Sequence, residues 1–172
     1  MAFGFECARI AKVMFPKTQY AQPGAIEDAS TVVTPTDTLD FQAITADEYV
    51  ILGCRLLEDY DGGGLKLRFC WVSSATSGSV RWVASIKSTD VGDSITASFT
   101  WSTNEQGVTT ATSGTAGTEV QSEITFTDGA QMNSILKGEA FEIRIHRDQD
   151  HAGDDLAVDA RILVHTLAIL EV

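Results

Sequence analysis

The sequence contains no long hydrophobic run. Charged or polar residues interrupt every apolar stretch well before the roughly 20 residues that a membrane-spanning helix needs. The opening segment MAFGFECARIAKVMFPK also lacks a charged start followed by a continuous apolar core, so it does not fit a secretory signal peptide. We therefore expect synthesis in the cytoplasm and no membrane partner.

Basic residues are scarce. The chain of 172 residues has 12 Lys and Arg against 24 Asp and Glu, which gives a formal net charge of −12. Binding to DNA or RNA requires clustered basic side chains that neutralise phosphates, so this balance disfavours a nucleic-acid partner. An acidic surface instead favours partners with basic patches.

Cysteine is scarce as well, and its spacing is uninformative. Cys7, Cys54 and Cys70 are odd in number and form no CxxC pair, so the sequence indicates neither a zinc site nor a complete disulfide framework. Cys70 falls within a strand pattern, where a reduced, buried thiol is the expected state. We predict no cofactor.

The three prolines of the chain all fall within residues 1–38. Each proline removes a backbone donor and favours extended backbone at the residue before it, so we predict an extended N-terminal arm here. The start of this arm is too apolar for a free tail. Either it adds a first strand to the core or it packs on a neighbouring subunit, in which case Phe3, Phe5 and Phe15 are the candidate contacts.

From residue 39 onward the sequence alternates between apolar and polar residues. The segments GLKLRFCWV and SVRWVASIK both place apolar residues at every second position, and the short Ser/Thr/Gly loop between them predicts a hairpin. The same period occurs in ITASFTWS, EVQSEITF and FEIRIHR. GVTTATSGTAGTE predicts a flexible loop or a solvated edge strand. DGAQMNSILKG predicts one helical turn, capped by Asp128 and ended by Gly138.

The last apolar segment, VDARILVHTLAILEV, predicts one long strand that is apolar on both faces. Such a strand is either covered on both sides or packed on another subunit, so Leu167 and Ile169 are candidate subunit contacts. The whole pattern gives about eight short strands with turn signals between them and almost no helix. We predict an all-β fold, an antiparallel jelly-roll sandwich over residues 39–172.

The segment HRDQDHAGDDLAVDA is rich in Asp and His, side chains that can bind a metal or transfer protons. It partly matches a calcium-binding loop, with acidic residues or glycine at loop positions 1, 3, 6, 7 and 12, but strands rather than helices flank it. Asp and Gly also suit a tight connection between strands, and we favour that interpretation. The weak metal candidates are Asp148, Asp150, Asp155 and Asp159.

Recognisable catalytic motifs are missing. His146, His151 and His165 lack the spacing of a cupin metal site, and no GxSxG motif occurs. We expect His146 and His165 to face solvent or a subunit contact, and we predict that the chain is not an enzyme. The tryptophans Trp71, Trp82 and Trp101 fall on the apolar faces of their strands, which favours a core role over a sugar-binding platform.

The succession EYVILGCRLLEDYDGGGLKLRFCWVSSATSGSVRWVASI, followed by GEAFEIRIHRDQDHAGDDLAVDARILVHTLAIL, resembles a group of tailed-bacteriophage virion proteins. Those proteins have a strand ending in Trp, a short loop, a strand beginning VxW, and a last strand reached through Arg-Asp and an Asp-rich turn. The corresponding residues here are Trp71, the 73–79 loop, Val80, Trp82, Arg147, Asp148, Asp155 and Asp159. The resemblance covers about residues 39–172 and implies a jelly-roll structural module.

Three functions follow from these observations. The first is a capsid decoration, or cement, protein that binds the major capsid protein and stabilises the shell, located in the virion. The second is a tail or head fibre module that binds a host receptor, suggested by the Thr/Gly-rich segment at 107–118. The third is a jelly-roll enzyme that depends on a metal or acts on carbohydrate. A virion protein with an apolar arm is expected to form a homo-oligomer, with a closed homotrimer as one arrangement.

Overall fold

The chain folds into short antiparallel β-strands joined mainly by loops. The computed structural model describes residues 22–23, 38–42, 49–89 and 103–172. The strands in these ranges are β1 Gln22–Pro23, β2 Thr38–Phe41, β3 Tyr49–Arg55, β4 Leu65–Ser73, β5 Ser79–Thr89, β6 Gln106–Ala111, β7 Val120–Phe126, β8 Ala140–Arg147, β9 Ala160–Leu163 and β10 Ala168–Glu171. Two 3-10 helices, Ala130–Met132 and Val164–Thr166, complete the elements of the described part. The predicted all-β class is confirmed.

Two sheets pack face to face. One has the order β2, β9, β4, β7, with β1 beside β2 and with β10 also paired to β4. The other has the order β3, β8, β5, β6. Because β9 pairs with residues 71–73 of β4 and β10 with residues 65–68, these two strands share one position in the sheet. Counted in this way, the two sheets have the strand order of an eight-stranded jelly roll, as predicted.

The predicted hairpin between residues 64–72 and 79–87 is wrong. β4 pairs with β7, β9 and β10, whereas β5 pairs with β6 and β8 in the opposite sheet. The short loop between β4 and β5 therefore crosses from one sheet to the other. Alternation reports which face of a strand is buried but not which strand lies beside it, and two strands that face one core from opposite sheets have the same pattern.

The core lies between the sheets and is centred on aromatic rings. Trp82 of β5 meets Phe69 and Trp71 of β4 edge to face across the core, with ring centroids 5.4 and 5.9 Å apart. Phe41 of β2 meets the same indole at 5.1 Å. Trp71 and Trp82 are both fully buried, so the predicted core role is confirmed for these two. Trp101 lies outside the described residues.

The predicted single final strand is interrupted. The 3-10 helix Val164–Thr166 separates β9 from β10 and shifts the phase of the alternation. Ile162 and Ile169 are seven positions apart, which would put them on opposite faces of a continuous strand. Both instead face the core, opposite Trp71 and Leu67 respectively. This phase shift explains why apolar residues occur at both odd and even positions of the segment. The pattern therefore does not require a subunit contact.

A threonine side chain takes over the hydrogen bonding where the strand breaks. The hydroxyl Oγ1 of Thr166 accepts a hydrogen bond from the backbone N–H of Cys70 at 2.8 Å and donates to the carbonyl oxygen of Leu163 at 2.6 Å. It therefore satisfies a backbone donor of the central strand β4 that has no backbone partner at the interruption.

We predict that Thr166→Val lowers the free energy of unfolding by about 1–2 kcal/mol, because the N–H of Cys70 loses its acceptor in a partly buried position. Thr166→Ser keeps the hydroxyl and should lose less than half of that amount. Urea denaturation of both variants measures the difference. Equal stabilities for the two variants would show that the hydroxyl has no such role.

The predicted helical turn is present, but it begins and ends at residues other than those predicted. The 3-10 helix Ala130–Met132 is preceded by Gly129, with no side-chain cap, and is followed by Asn133 in the left-handed region at φ 54°. Asp128 is therefore not the cap, and Gly138 does not end the helix. The Asp128 carboxylate instead accepts a hydrogen bond from the hydroxyl of Tyr60 at 3.4 Å.

Tyr60 ties this region to the glycine-rich turn before β4. Its hydroxyl accepts a hydrogen bond from the N–H of Gly64 at 2.9 Å, and its side chain is buried. Gly64 has φ +112°, and a Cβ atom there would overlap the carbonyl oxygen of Phe126, so only glycine fits. Burial raises the pKa of Tyr60 above its ordinary value, and the nearby Asp128 adds to this effect.

We predict that the free energy of unfolding falls less at alkaline pH in Tyr60→Phe than in the parent chain. A raised pKa means that the folded state favours the protonated phenol, so this contribution is complete below about pH 10 and is lost as pH rises through the pKa of the folded state. Urea unfolding at about pH 8 and about pH 11 should show a smaller loss of stability for the variant than for the parent chain. An identical loss would contradict the assignment.

The N-terminal arm lies almost entirely outside the described residues, and so do Phe3, Phe5, Phe15 and Cys7. Among the described residues, β1 pairs antiparallel with β2, with Gln22 opposite Asp40 and Pro23 opposite Leu39. The extent of the arm over 1–38 and its subunit contacts stay predictions. No helix in the described ranges is long and apolar enough to cross a membrane.

Candidate functional site

The aspartate-rich turn, residues 148–159, connects β8 to β9 and therefore crosses from one sheet to the other. It begins directly after Arg147, the last residue of β8, whose side chain is only 1% exposed. The guanidinium of Arg147 pairs with the carboxylate of Asp154 through two hydrogen bonds, Nη2 to Oδ1 at 2.7 Å and Nε to Oδ2 at 2.9 Å. The Asp154 side chain is 2% exposed, so both charges are buried.

Backbone carbonyl groups of the same turn satisfy the rest of the guanidinium. Nη1 of Arg147 donates to the carbonyl oxygen of Val158 at 2.9 Å, and Nη2 donates to that of Leu156. The turn thus wraps around the guanidinium from several sides. A buried ion pair is tolerated only when additional hydrogen bonds offset the loss of hydration, and this one meets that requirement.

The turn is also bonded to the start of β5. Oδ2 of Asp154 accepts a hydrogen bond from the N–H of Arg81 at 3.0 Å, and Oδ1 of Asp155 accepts one from the N–H of Ser79 at 2.6 Å. The backbone N–H groups of Asp155 and Leu156 donate to the carbonyl oxygen of Ser79 in return. Asp154 and Asp155 therefore each accept a hydrogen bond from a different residue of β5.

The carboxylates proposed as weak metal candidates do not converge. Asp148 is half-buried, Asp150 and Asp159 are exposed, and Asp155 is bonded to Ser79. Across the described ranges, no three side chains of His, Cys, Asp or Glu come together as a metal-binding group. The interpretation of this segment as a turn between strands agrees with the geometry.

The histidines are placed differently from each other. His165 and His151 are exposed, and Nδ1 of His151 accepts a hydrogen bond from the N–H of Gly153 at 2.9 Å. His146 of β8 is only 8% exposed, so the expectation that it faces solvent is wrong. It lies between Tyr49 and Val83 of the two neighbouring strands.

Asp159, at the end of the turn, is an acidic group close to Asp40 of β2. Burial raises the pKa of Asp40 above its ordinary value, Arg161 opposes this shift, and the charge of Asp159 adds to it. Nε of Arg161 lies 3.2 Å from Oδ1 of Asp40, across the pairing of β9 with β2. The turn therefore increases the negative potential at β2.

A second feature lies at the same end of the sandwich. The loops that follow β4 and β6 are joined by backbone hydrogen bonds, from Gly117 to Ser73 at 2.8 Å and from Thr112 to Gly78 at 2.9 Å. A shallow depression lies between them. It is lined by Trp71, Ser73, Ala75, Thr112, Ser113, Thr115, Thr118 and Val120. None of these side chains is charged, in a chain whose net charge is −12.

Sequence reasoning did not identify the Arg147–Asp154 pair or the depression. An arginine at the end of a strand seven positions before an aspartate has no distinctive spacing, and the pair becomes evident only when the turn folds back. The depression had one usable signal, since the segments 69–80 and 106–118 contain no charged residue. That they lie side by side depends on the crossing connections between the sheets.

Comparison with known proteins gives structural likenesses only. No protein-family model and no curated protein matches the chain. The fold is similar to the enzymatically active domain of tailspike protein 4 of bacteriophage CBA120, with a TM-score of 0.43 and 11% identity, over 78% of this chain and 15% of that one. It is also similar to the structure of infectious bursal disease virus, Gt strain, with a TM-score of 0.39 and 12% identity, over 77% of this chain and 28% of that one.

The Gx strain of the same virus gives a TM-score of 0.34 and 12% identity, over 78% of this chain and 35% of that one. The chain thus spans 15 to 35% of the lengths of these structures. All three belong to viruses. At this level of similarity no residue and no activity is carried over to this chain.

One prediction is corrected by these comparisons. The expectation that the chain is not an enzyme is contradicted, because the tailspike domain with a similar fold is described as enzymatically active. The expectation was based on the absence of familiar motifs. Catalytic groups can be supplied from separate strands and loops of a fold without any recognisable spacing in the sequence, so that absence was not a sufficient basis.

We predict that Asp154→Ala destabilises the protein by about 3–5 kcal/mol, because it leaves the guanidinium of Arg147 buried without its counterion. Asp150→Ala, in the same turn but exposed, should change the stability by less than about 0.5 kcal/mol. Chemical denaturation of both variants tests this. A loss below about 1 kcal/mol for Asp154→Ala would mean that the pair does not hold the turn.

Proposed function

We propose that this protein is a structural component of a virus particle and that it decorates a capsid shell. The observation that carries this proposal is the eight-stranded jelly-roll order of the two sheets, which is the architecture that the resemblance to tailed-bacteriophage virion proteins implied. Jelly rolls are common in viral capsid proteins and also occur in lectins and cupins, and the fold supports the proposal.

The charge of the chain suggests the kind of partner. A net charge of −12 favours a shell protein with basic patches on its outer surface, and it would steer the approach of the two proteins at low salt. We propose the major capsid protein as that partner, with the arm of residues 1–38 contributing to the contact. Binding of this kind should weaken as the salt concentration rises.

A second candidate function is favoured by the uncharged depression. Loops rich in Ser, Thr and Gly provide adaptable hydrogen bonding without a strong electrostatic preference, as they do in the binding loops of antibodies. Thr112, Ser113 and Thr115 are among the residues that line it. A fibre or receptor-binding module would use such a surface to contact a host glycan or protein.

The number of copies of this chain in a virus particle distinguishes the two functions. We would purify particles from the virus that encodes it and quantify this chain against the major capsid protein by mass spectrometry with isotope-labelled reference peptides. A decoration protein is expected at a copy number similar to that of the capsid protein, since it binds a site repeated over the shell.

A copy number of only a few to a few tens would reject the decoration role and support the fibre module. Absence from purified particles would overturn the virion proposal altogether. Treatment of the particles with high salt before purification gives a further control, because a decoration protein held by charge should be released while the capsid protein stays in the particle.

A further inference from the structure

Leu136 lies on the loop of residues 127–139, which joins β7 to β8 at the end of the sandwich opposite the aspartate-rich turn. Its side chain is 65% exposed, whereas that of its neighbour Ile135 is 4% exposed and packs in the core. An exposed leucine does not stabilise the fold, because the hydrophobic effect stabilises only apolar area that is removed from water. Single exposed apolar side chains are ordinary on protein surfaces, but this one is carried by an unusual loop.

The backbone is strained directly before this leucine. Asn133 and Ser134 have φ angles of 54° and 55°, in the left-handed region. Asparagine tolerates this region, but serine rarely adopts it, and such residues need support from their surroundings. Hydrogen bonds supply that support, since the N–H of Ser134 donates to the carbonyl oxygen of Gly129 at 2.9 Å and that of Ile135 to Met132 at 3.3 Å. The chain therefore maintains an unfavourable conformation at the point where it exposes an apolar side chain.

The backbone of Leu136 is fixed by Glu139. The N–H of Leu136 donates to Oε2 of Glu139 at 2.6 Å, and its carbonyl oxygen accepts a hydrogen bond from the N–H of Glu139 at 3.1 Å. The loop is also joined to the end of β3. The N–H of Gly138 donates to the carbonyl oxygen of Leu56 at 2.9 Å, and Nη1 of Arg55 donates to that of Gly138 at 2.6 Å. A side chain on a backbone fixed in this way loses little freedom on binding, which suits an interface anchor.

Acidic side chains predominate around this loop. Hydrogen bonds join three segments at this end of the sandwich, residues 55–64, 127–139 and 171–172. They carry six carboxylates against two basic side chains, Arg55 and Lys137. The six belong to Glu58, Asp59, Asp61, Asp128, Glu139 and Glu171. An apolar side chain in acidic surroundings fits a pocket that is apolar at its centre and basic at its rim.

We propose that Leu136 and the acidic side chains around it form the surface by which this protein contacts the capsid shell, with Leu136 inserted into an apolar pocket of the shell protein that Lys or Arg residues border. This inference rests on the proposed function and adds which end of the sandwich faces the shell. The charge of this end indicates the partner, since a second copy of this acidic chain would repel it, whereas a basic rim would attract it.

Binding of the purified full chain to shells of the same virus, assembled in its absence, tests this surface. Co-sedimentation over a range of protein concentrations gives the dissociation constant. Leu136→Asn removes the apolar side chain and should weaken binding at least about tenfold, as the loss of an interface anchor does. Leu136→Met keeps a similar apolar volume and should bind within about threefold of the parent chain. Because Leu136 is exposed, both variants should melt at the temperature of the parent chain, which circular dichroism checks.

Two charge reversals separate contact at this end from attraction by the net charge alone. Asp59→Lys at this end and Asp150→Lys in the aspartate-rich turn change the net charge equally, and both aspartates are exposed. We expect Asp59→Lys to weaken binding at least about fivefold at low salt and Asp150→Lys to weaken it less than about twofold. Both effects should become smaller as the salt concentration rises.

Equal binding by the parent chain and Leu136→Asn would overturn this inference and leave the decoration function in place. If Asp59→Lys weakens binding no more than Asp150→Lys does, the inference is also overturned, because the attraction then depends on net charge and not on this end. A parent chain that does not bind the shells would reject the proposed function and this inference together. Binding by the parent chain therefore distinguishes the two failures.

Discussion

Arg147 holds a full positive charge at the end of β8 with almost none of its side chain exposed, and the connection that returns the chain to the other sheet is built around it. The counterion Asp154 and the carbonyl groups of Leu156 and Val158 all come from that connection. Removing any one of them leaves a buried charge or donor without a partner, so the whole turn must fold in one conformation. Of the aspartates of this turn, Asp154 supplies the counterion of Arg147.

This constraint organises one end of the sandwich. The turn is bonded to the start of β5, the loop before β5 is bonded to the loop after β6, and β6 itself pairs with β5. Acidic and uncharged surfaces therefore lie next to each other at this end. A decoration protein or a fibre module would use these surfaces differently, the first through its net charge and the second through the hydroxyl groups of the depression.

The sequence predicted the strands well and their neighbours poorly. The nine residues of β4 have a strict alternation of burial, and the predicted strand matches it. The predicted hairpin of β4 with β5 is wrong, because the two strands face the same core from opposite sheets. The predicted continuous last strand is also wrong, because a side chain, Thr166, replaces a backbone hydrogen bond where the strand breaks. The alternation of apolar and polar residues indicates neither which sheet a strand joins nor where a strand is interrupted.

The sequence by itself determined the all-β class, the burial of Trp71 and Trp82, the acidic character and the turn between the last two strand regions, because each depends on local composition or on a period of two. Only the tertiary structure decided which strands pair and which aspartate meets Arg147. Those outcomes depend on contacts between residues distant in the chain, such as Asp155 with Ser79 and Trp82 with Phe69. Their partners are selected by packing the two sheets against each other, which no single segment specifies.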